Sequence, residues 1–338
     1  MNVKKGINLL RVVSDMAGKF KIALVLLAAG ALAWSSRPAL ADTTVFSDNF
    51  SSSTLNGVSS PTSTSTSYDI ASSKAATSAI GAGDLSITLP STSSGLVEAQ
   101  ALFAASPITL ASSGDYIDFK LTFTDTANIL IAGKLTSGLW IGLFNSGGVA
   151  PLTSLQSSGL ATNFTGGTQG WQGYHNQLTG TGGSVKTYLR APQTAAAGDQ
   201  DLLGNNASSG TTYANPRGFQ LSGQATSAVT LTNGQQLTAE FKVMLNGTGG
   251  TTVSNILFDV ASGNTLLGLS STTNGIPITA FDGLAFGWQY KGAAGDPAST
   301  MDVSSLSVTT NVPEPSTIGL VLGGLGLLMG IRRSRKTP

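Results

Sequence analysis

The feature that most constrains this 338-residue chain is side-chain alternation at period two, which recurs along most of its length. In DYIDFKLTFTD, Tyr116, Asp118, Lys120, Thr122 and Thr124 fall on one side of an extended backbone. Ile117, Phe119, Leu121 and Phe123 fall on the other. Successive side chains of a strand point to opposite faces, so this stretch reads as a strand with one buried face. The same alternation marks TVFSDNF (44–50), DLSITL (84–89), LVEAQALF (96–103), VKTYLR, GFQLSG, AVTLTNGQQLTAEFKVML, SNILFDV, ITAFDGLAFGWQYK and MDVSSLSVTT. GLWIGLFNS (138–146) is more continuously apolar, as an inner strand would be. Asn233-Gly234 is a tight-turn signal between two alternating runs. No stretch of 42–311 holds a helical period, and no fixed-period repeat is present. An all-β fold follows, an antiparallel β-sandwich or jelly roll rather than a propeller or β-helix. Residues 147–216 stand apart. They are rich in Gly, Ser, Thr and Ala and strand-like only at Val185 to Arg190, and so read as a long insertion in that sandwich.

The two ends follow different rules. Lys4, Lys5, Arg11, Lys19 and Lys21 precede an apolar run from Ile22 to Trp34, and RPALAD comes next. Ala39 and Ala41 supply the small-residue cleavage pattern of a signal peptide, which makes 1–41 removable by signal peptidase and Asp42 the mature N-terminus. At the other end, Ile318 to Ile331 is apolar and Arg332, Arg333, Arg335 and Lys336 follow it. As a helix this run reaches about 21 Å, against a bilayer core of about 30 Å. Pro313 and Pro315 separate it from the preceding domain by a stiff extended break. The tail is built to enter a membrane transiently, with a cationic stop on the cytoplasmic side. An ordinary tail anchor is the alternative.

The order Pro313-Glu314-Pro315, glycine-rich apolar stretch, Arg332/Arg333/Arg335 cluster closely resembles the PEP-CTERM sorting signal of Gram-negative bacteria. The resemblance covers 312–338. It implies recognition by an exosortase at the inner membrane and release to the cell surface or extracellular matrix. The body also resembles concanavalin A-like, laminin-G-like jelly rolls, in pattern rather than signature. The matching pieces are the opening FSDNF, then DYIDFKLTFTD with LWIGLFNS, the late FDGLAFGWQY and the closing MDVSSLSVTT. That superfold includes lectins, glucanases and adhesive modules, so it does not select an activity.

Charge narrows the partners. With both ends removed, the body keeps eight of the 18 Lys and Arg and 15 of the 17 acidic residues, a net charge near −7. That balance argues against nucleic-acid binding, which needs clustered cations. Cysteine is absent, so no thiol nucleophile, thiolate metal site or disulfide is available. Stability must come from burial.

Chemistry is sparse. The body has only Glu98 and Glu240, each alone in its strand, and nothing resembles the paired carboxylates of a glycoside hydrolase. His175 is the single histidine and lacks a Gly-x-Ser-x-Gly elbow. The chain therefore reads as a non-enzymatic exported protein with a structural or adhesive role. The alternative is a carbohydrate-binding module for exopolysaccharide, using Trp171, Tyr174, His175 and Asn176, unless Trp171 and Tyr174 merely pin down the insertion. Trp140, Trp288 and Tyr290 read as core. No cofactor is implied beyond a structural Ca²⁺ between Asp48 and Asp302, which adjacent terminal strands would bring together; otherwise both are exposed strand carboxylates.

Overall fold

A computed structural model describes residues 41–312 apart from 58–59, 73–75, 82, 91–94, 128–137, 150–169, 179–183, 191–201, 204–218, 227–231, 233, 273–276 and 291–297. The polypeptide falls into two compact units, Met1–Ala41 and Asp42–Pro338. Ala39, Pro313, Glu314, Pro315, Arg332, Arg333 and Arg335, with the helices expected at both ends, lie outside the described residues.

Along the chain, the strands are β1 (Thr43–Asp48), β2 (Thr54–Leu55), β3 (Ser67–Ser72), β4 (Thr77–Ile80), β5 (Leu85–Leu89) and β6 (Gly95–Leu102). Then come β7 (Ile108–Thr109), β8 (Tyr116–Ala127), β9 (Leu139–Asn145), β10 (Gln172–Leu178), β11 (Ser184–Arg190) and β12 (Phe219–Thr226). The last six are β13 (Gln236–Leu245), β14 (Thr251–Asp259), β15 (Thr265–Thr272), β16 (Ala280–Phe281), β17 (Gly283–Tyr290) and β18 (Ser299–Thr310).

They form two large sheets and a small β7–β16 ladder. The first sheet runs β15-β14-β13-β8-β18-β5-β4. The length of β18 lets one of its edges serve two neighbours: Ser299–Val303 pair with β5, and Leu306–Thr310 pair with β1. The second sheet runs β12-β11-β10-β9-β17-β6-β3-β2. Pairing is antiparallel throughout except between β2 and β3. The expected antiparallel β-sandwich is the fold.

The alternation that defined the strands also builds the core. Ile117, Phe119, Leu121 and Phe123 of β8 are fully buried, as are Leu237, Phe241 and Val243 of β13 and Val303 and Val308 of β18. From the second sheet, Val97, Ile141, Leu143, Tyr174, Leu189, Phe286 and Trp288 meet them in one cluster. Each large side chain removed from water there is worth about 1.5–3 kcal/mol, which holds a cysteine-free body together.

The two sheets differ in their outer faces. The first alternates buried and partly exposed positions, as in β5 and β13. In the second, β3, β9 and β10 are buried on both faces almost throughout. A second cluster made of Trp140, Phe144, Trp171, Tyr188, Leu202, Leu203 and Ala285 covers the side turned away from the first sheet.

One boundary is corrected. The insertion expected over 147–216 contains β10 and β11, both interior members of the second sheet. β10 pairs with β9 over seven consecutive positions and with β11 over six. GYHNQ reads as polar loop because its sheet is covered on both faces, so its polar side chains are buried rather than set out in water. At the Asn233-Gly234 signal, Gly234 has φ 79° and its N–H donates to Asp125 O, so the chain does turn there into β13.

Candidate functional site

The outer face of the second sheet concentrates the chemistry of the described residues. On β6, Val97, Ala99 and Ala101 point to the inter-sheet core, so Glu98 and Gln100 point outward. By the same alternation β9 sets out Trp140 and Phe144, β10 sets out His175, and β11 sets out Tyr188 and Arg190. Register aligns them in rows across the sheet. Tyr188 pairs with His175, His175 with Gly142, Gly142 with Ala285, Ala285 with Gln100, and Gln100 with Asp69. In the next row Gln177 pairs with Trp140, Trp140 with Gly287, and Gly287 with Glu98. Glycine makes room for the rings: a Cβ on Gly283 would lie 2.4 Å from Cζ3 of Trp171, inside the indole's own space.

The rings pack on one another. His175 stacks on Tyr188 with centroids 5.3 Å apart, and Trp140 meets His175 edge-on at 5.4 Å. Phe144 and Trp171 lie 6.5 Å apart. Polar groups are threaded through this apolar layer. Tyr188 Oη donates to Gln177 Oε1 at 3.2 Å. Gln100 Nε2 donates to Glu98 Oε1 at 2.5 Å, and an Arg190 guanidinium N–H donates to Trp171 O. The backbone N–H groups of Leu202 and Leu203 each donate to one oxygen of Glu98 at 2.8 Å. Among the described residues, both ring nitrogens of His175 and the indole nitrogen of Trp140 are buried without a hydrogen-bond partner.

Burial sets the protonation. The Glu98 carboxyl is pushed up to about 7 by loss of water, against the opposing pull of Gln100, Leu202, Leu203 and Arg190. Asp69 is pushed up to about 7 by burial. His175 is lowered to about 3, first by burial and then by the Arg190 cation, so its imidazole is neutral at physiological pH. Burial raises Tyr188 to about 12. The face thus offers aromatic surface, one carboxylate already holding paired donors, and neutral polar tips.

The residues singled out from sequence divide between two faces. His175 belongs to the outer face, and Trp171 belongs to its aromatic cluster, donating through Nε1 to Val149 O at 2.9 Å. Tyr174 and Asn176 alternate to the inner face. Thr251 Oγ1 and Ile278 N donate to Tyr174 Oη at 2.8 and 3.0 Å, and the Asn176 amide is buried without a partner among the described residues. All four are fully buried, so the single open platform expected of Trp171, Tyr174, His175 and Asn176 is corrected. Trp140 and Trp288, both expected as core, are fully buried: Trp140 in the cluster on the outer face, and Trp288 between the sheets, where it donates to Ser299 Oγ at 2.9 Å.

Asp48 and Asp302 are also separated. Their strands do run side by side, but Asp48 lies opposite Leu306, four residues from Asp302. Asp48 is buried and accepts from Phe50 N at 2.6 Å, Ser53 Oγ at 2.5 Å and Tyr68 Oη at 2.8 Å. Asp302 alternates outward, between buried Met301 and Val303, and accepts from Thr126 Oγ1. The shared site expected of the pair is therefore corrected. Among the described residues no three His, Cys, Asp or Glu side chains gather as a metal site.

The sequence reading set Glu98 aside as a lone strand carboxylate and did not single out Gln100, Tyr188 or Arg190. Their signal was present but weak: Glu98 and Gln100 are same-face polar residues inside the otherwise apolar LVEAQAL.

Fold and outer face together define an all-β sandwich with a covered, polar-aromatic sheet face. Its address is written in the tail: residues 311–336 match the PEP-CTERM protein-sorting motif. The protein is accordingly an exported, cell-surface-directed one, processed by an exosortase-type enzyme. No curated protein matches the chain. Among solved structures the body is similar to lectin I from Ulex europaeus, at 14% identity and TM-score 0.39 over 80% of this chain and 98% of that one. It is also similar to arcelin-5, a lectin-like defense protein from Phaseolus vulgaris, at 13% and 0.38 over 72% and 92%. A third is the CBM2 module of the evolved Dit of Lactobacillus casei BL23 phage J-1, at 9% and 0.41 over 81% and 99%.

Proposed function

We propose that the protein is a non-enzymatic adhesive component of the cell surface or extracellular matrix that holds exopolysaccharide on the outer face of its second sheet. The observation that carries this reading is the buried Trp140–His175–Tyr188 layer, where ring faces adjoin nitrogen atoms with no partner among the described residues. A sugar has the matching character: an apolar C–H face that rests on rings and hydroxyls that hydrogen-bond at their edges. Binding is favoured over turnover by the state of the titratable groups. Glu98 is already bonded by three donors, and an imidazole lowered to about 3 is a feeble proton acceptor. Export in this reading proceeds by signal-peptidase cleavage before Asp42, transient insertion of the tail in the inner membrane, and exosortase processing.

Protein recovered from the cell surface or medium tests both halves. Its intact mass should correspond to a chain starting at Asp42 without the apolar tail; a full-length C-terminus retained in the inner membrane would overturn the matrix location. On a polysaccharide array the same material should retain glycan without generating new chain ends. Chain cleavage would refute the non-enzymatic role, and uniform failure to retain glycan would refute the binding role.

A further inference from the structure

We infer that Leu202 and Leu203 are internal occupants of a glycan subsite, and that their paired amides stand where two adjacent hydroxyls of a neutral pyranose bind Glu98. This rests on the glycan-binding reading above and names the ligand class. Three features of the geometry carry it. First, two consecutive N–H groups serve the two oxygens of one carboxylate, each at 2.8 Å. A vicinal diol presents the same pair of neighbouring donors to a carboxylate, and charge-assisted bonds of this kind are the strong ones.

Second, the leucine side chains are almost fully buried in one cluster with Trp140, Phe144, Trp171 and Tyr188, which is where the C–H face of a sugar ring would lie. Third, the leucines fit that position poorly in one respect. Isobutyl groups cannot hydrogen-bond, and in the layer they share, both His175 nitrogens and Trp140 Nε1 lack partners among the described residues. Each such buried group carries the desolvation cost of a bond not made. A polyhydroxylated occupant supplies donors and acceptors that leucine lacks, so the dipeptide seals the face in the absence of ligand and is the weaker partner when ligand is present.

Charge selects a neutral sugar. Among the described residues the outer rows carry Asp69 and Glu98 against Lys186 and Arg190, a balance with no excess cation for a uronate.

The test uses the full protein recovered from cells and a panel of dextran, galactomannan and xyloglucan. Each is offered intact and after periodate cleavage and borohydride reduction, which destroys adjacent hydroxyl pairs. Retention of at least one intact polymer, lost at least about tenfold after cleavage, is the expected result. Leu202→Ser/Leu203→Ser keeps the amides but removes the apolar anchors, and should tighten binding by about tenfold because the competent state is more populated. Glu98→Gln should weaken it by a similar factor. Amide hydrogen exchange at 202 and 203 in the unaltered protein guards against a misfolded variant: ligand should speed exchange there by displacing both groups from Glu98. Equal binding of cleaved and intact polymer, or slower exchange at 202 and 203, would overturn this inference while leaving glycan binding intact. Retention of no polymer by either protein would overturn the glycan-binding reading itself.

Discussion

His175→Leu isolates the cost of a buried imidazole. In the folded protein His175 is fully enclosed, its ring nitrogens lack partners, and its pKa falls from 6.5 to about 3. In the unfolded chain it titrates normally. Between those limits the unfolded chain takes up a proton that the folded one refuses, so stability is lost as pH falls below 6.5. Each pH unit removes about 1.4 kcal/mol, or roughly 5 kcal/mol by pH 3. Leucine cannot titrate, so the variant lacks this acid loss. Its offset at pH 7 should be small, because losing the stack on Tyr188 is countered by removing two unsatisfied polar atoms. Urea unfolding of both proteins at pH 7, 6, 5 and 4 gives the difference in stability at each pH. Carboxyl contributions are shared and cancel. The leucine variant should gain on the natural protein by about 1–1.4 kcal/mol per unit below pH 6. A pH-independent difference would refute the enclosed, neutral imidazole.

Glu98 titrates in the opposite sense. Its folded value of about 7 lies above the ordinary 4.5, so the stability it confers is full below 4.5 and is lost as pH rises through 7. Glu98→Gln should flatten that neutral limb, and a natural protein whose stability is level between pH 5 and 7.5 relative to the variant would contradict it. Asp48→Ala should destabilise by about 2–4 kcal/mol, since three buried donors, from Phe50, Ser53 and Tyr68, lose their acceptor; a denaturation midpoint unchanged from the natural protein would show that those bonds carry no net stability.

How much of this was legible in the sequence depends on how local each signal is. Ile117, Phe119, Leu121 and Phe123 announce a half-buried strand within seven residues, and β8 is that strand with those side chains inward. The pairing of β1 with β18 could be anticipated from the chain ends, yet their register could not, and that register separates Asp48 from Asp302. His175 was visible as the sole histidine, but its neighbours were not. Trp140 is 35 positions before it and Glu98 is 77 before it in the chain, and both reach the same layer only through β9, β17 and β6.

Alternation along the chain and the Pro-Glu-Pro tail determined by themselves an exported antiparallel sandwich, because period-two burial and a sorting tag are each written in adjacent residues. Only the tertiary structure decided that the second sheet is covered on both faces. Alternation tells which side chains share a face; whether a polar face meets water or a covering segment depends on distant residues, here Leu202 and Leu203 on Glu98. That covering turns Glu98, His175 and Arg190 from ordinary strand positions into a buried polar cluster.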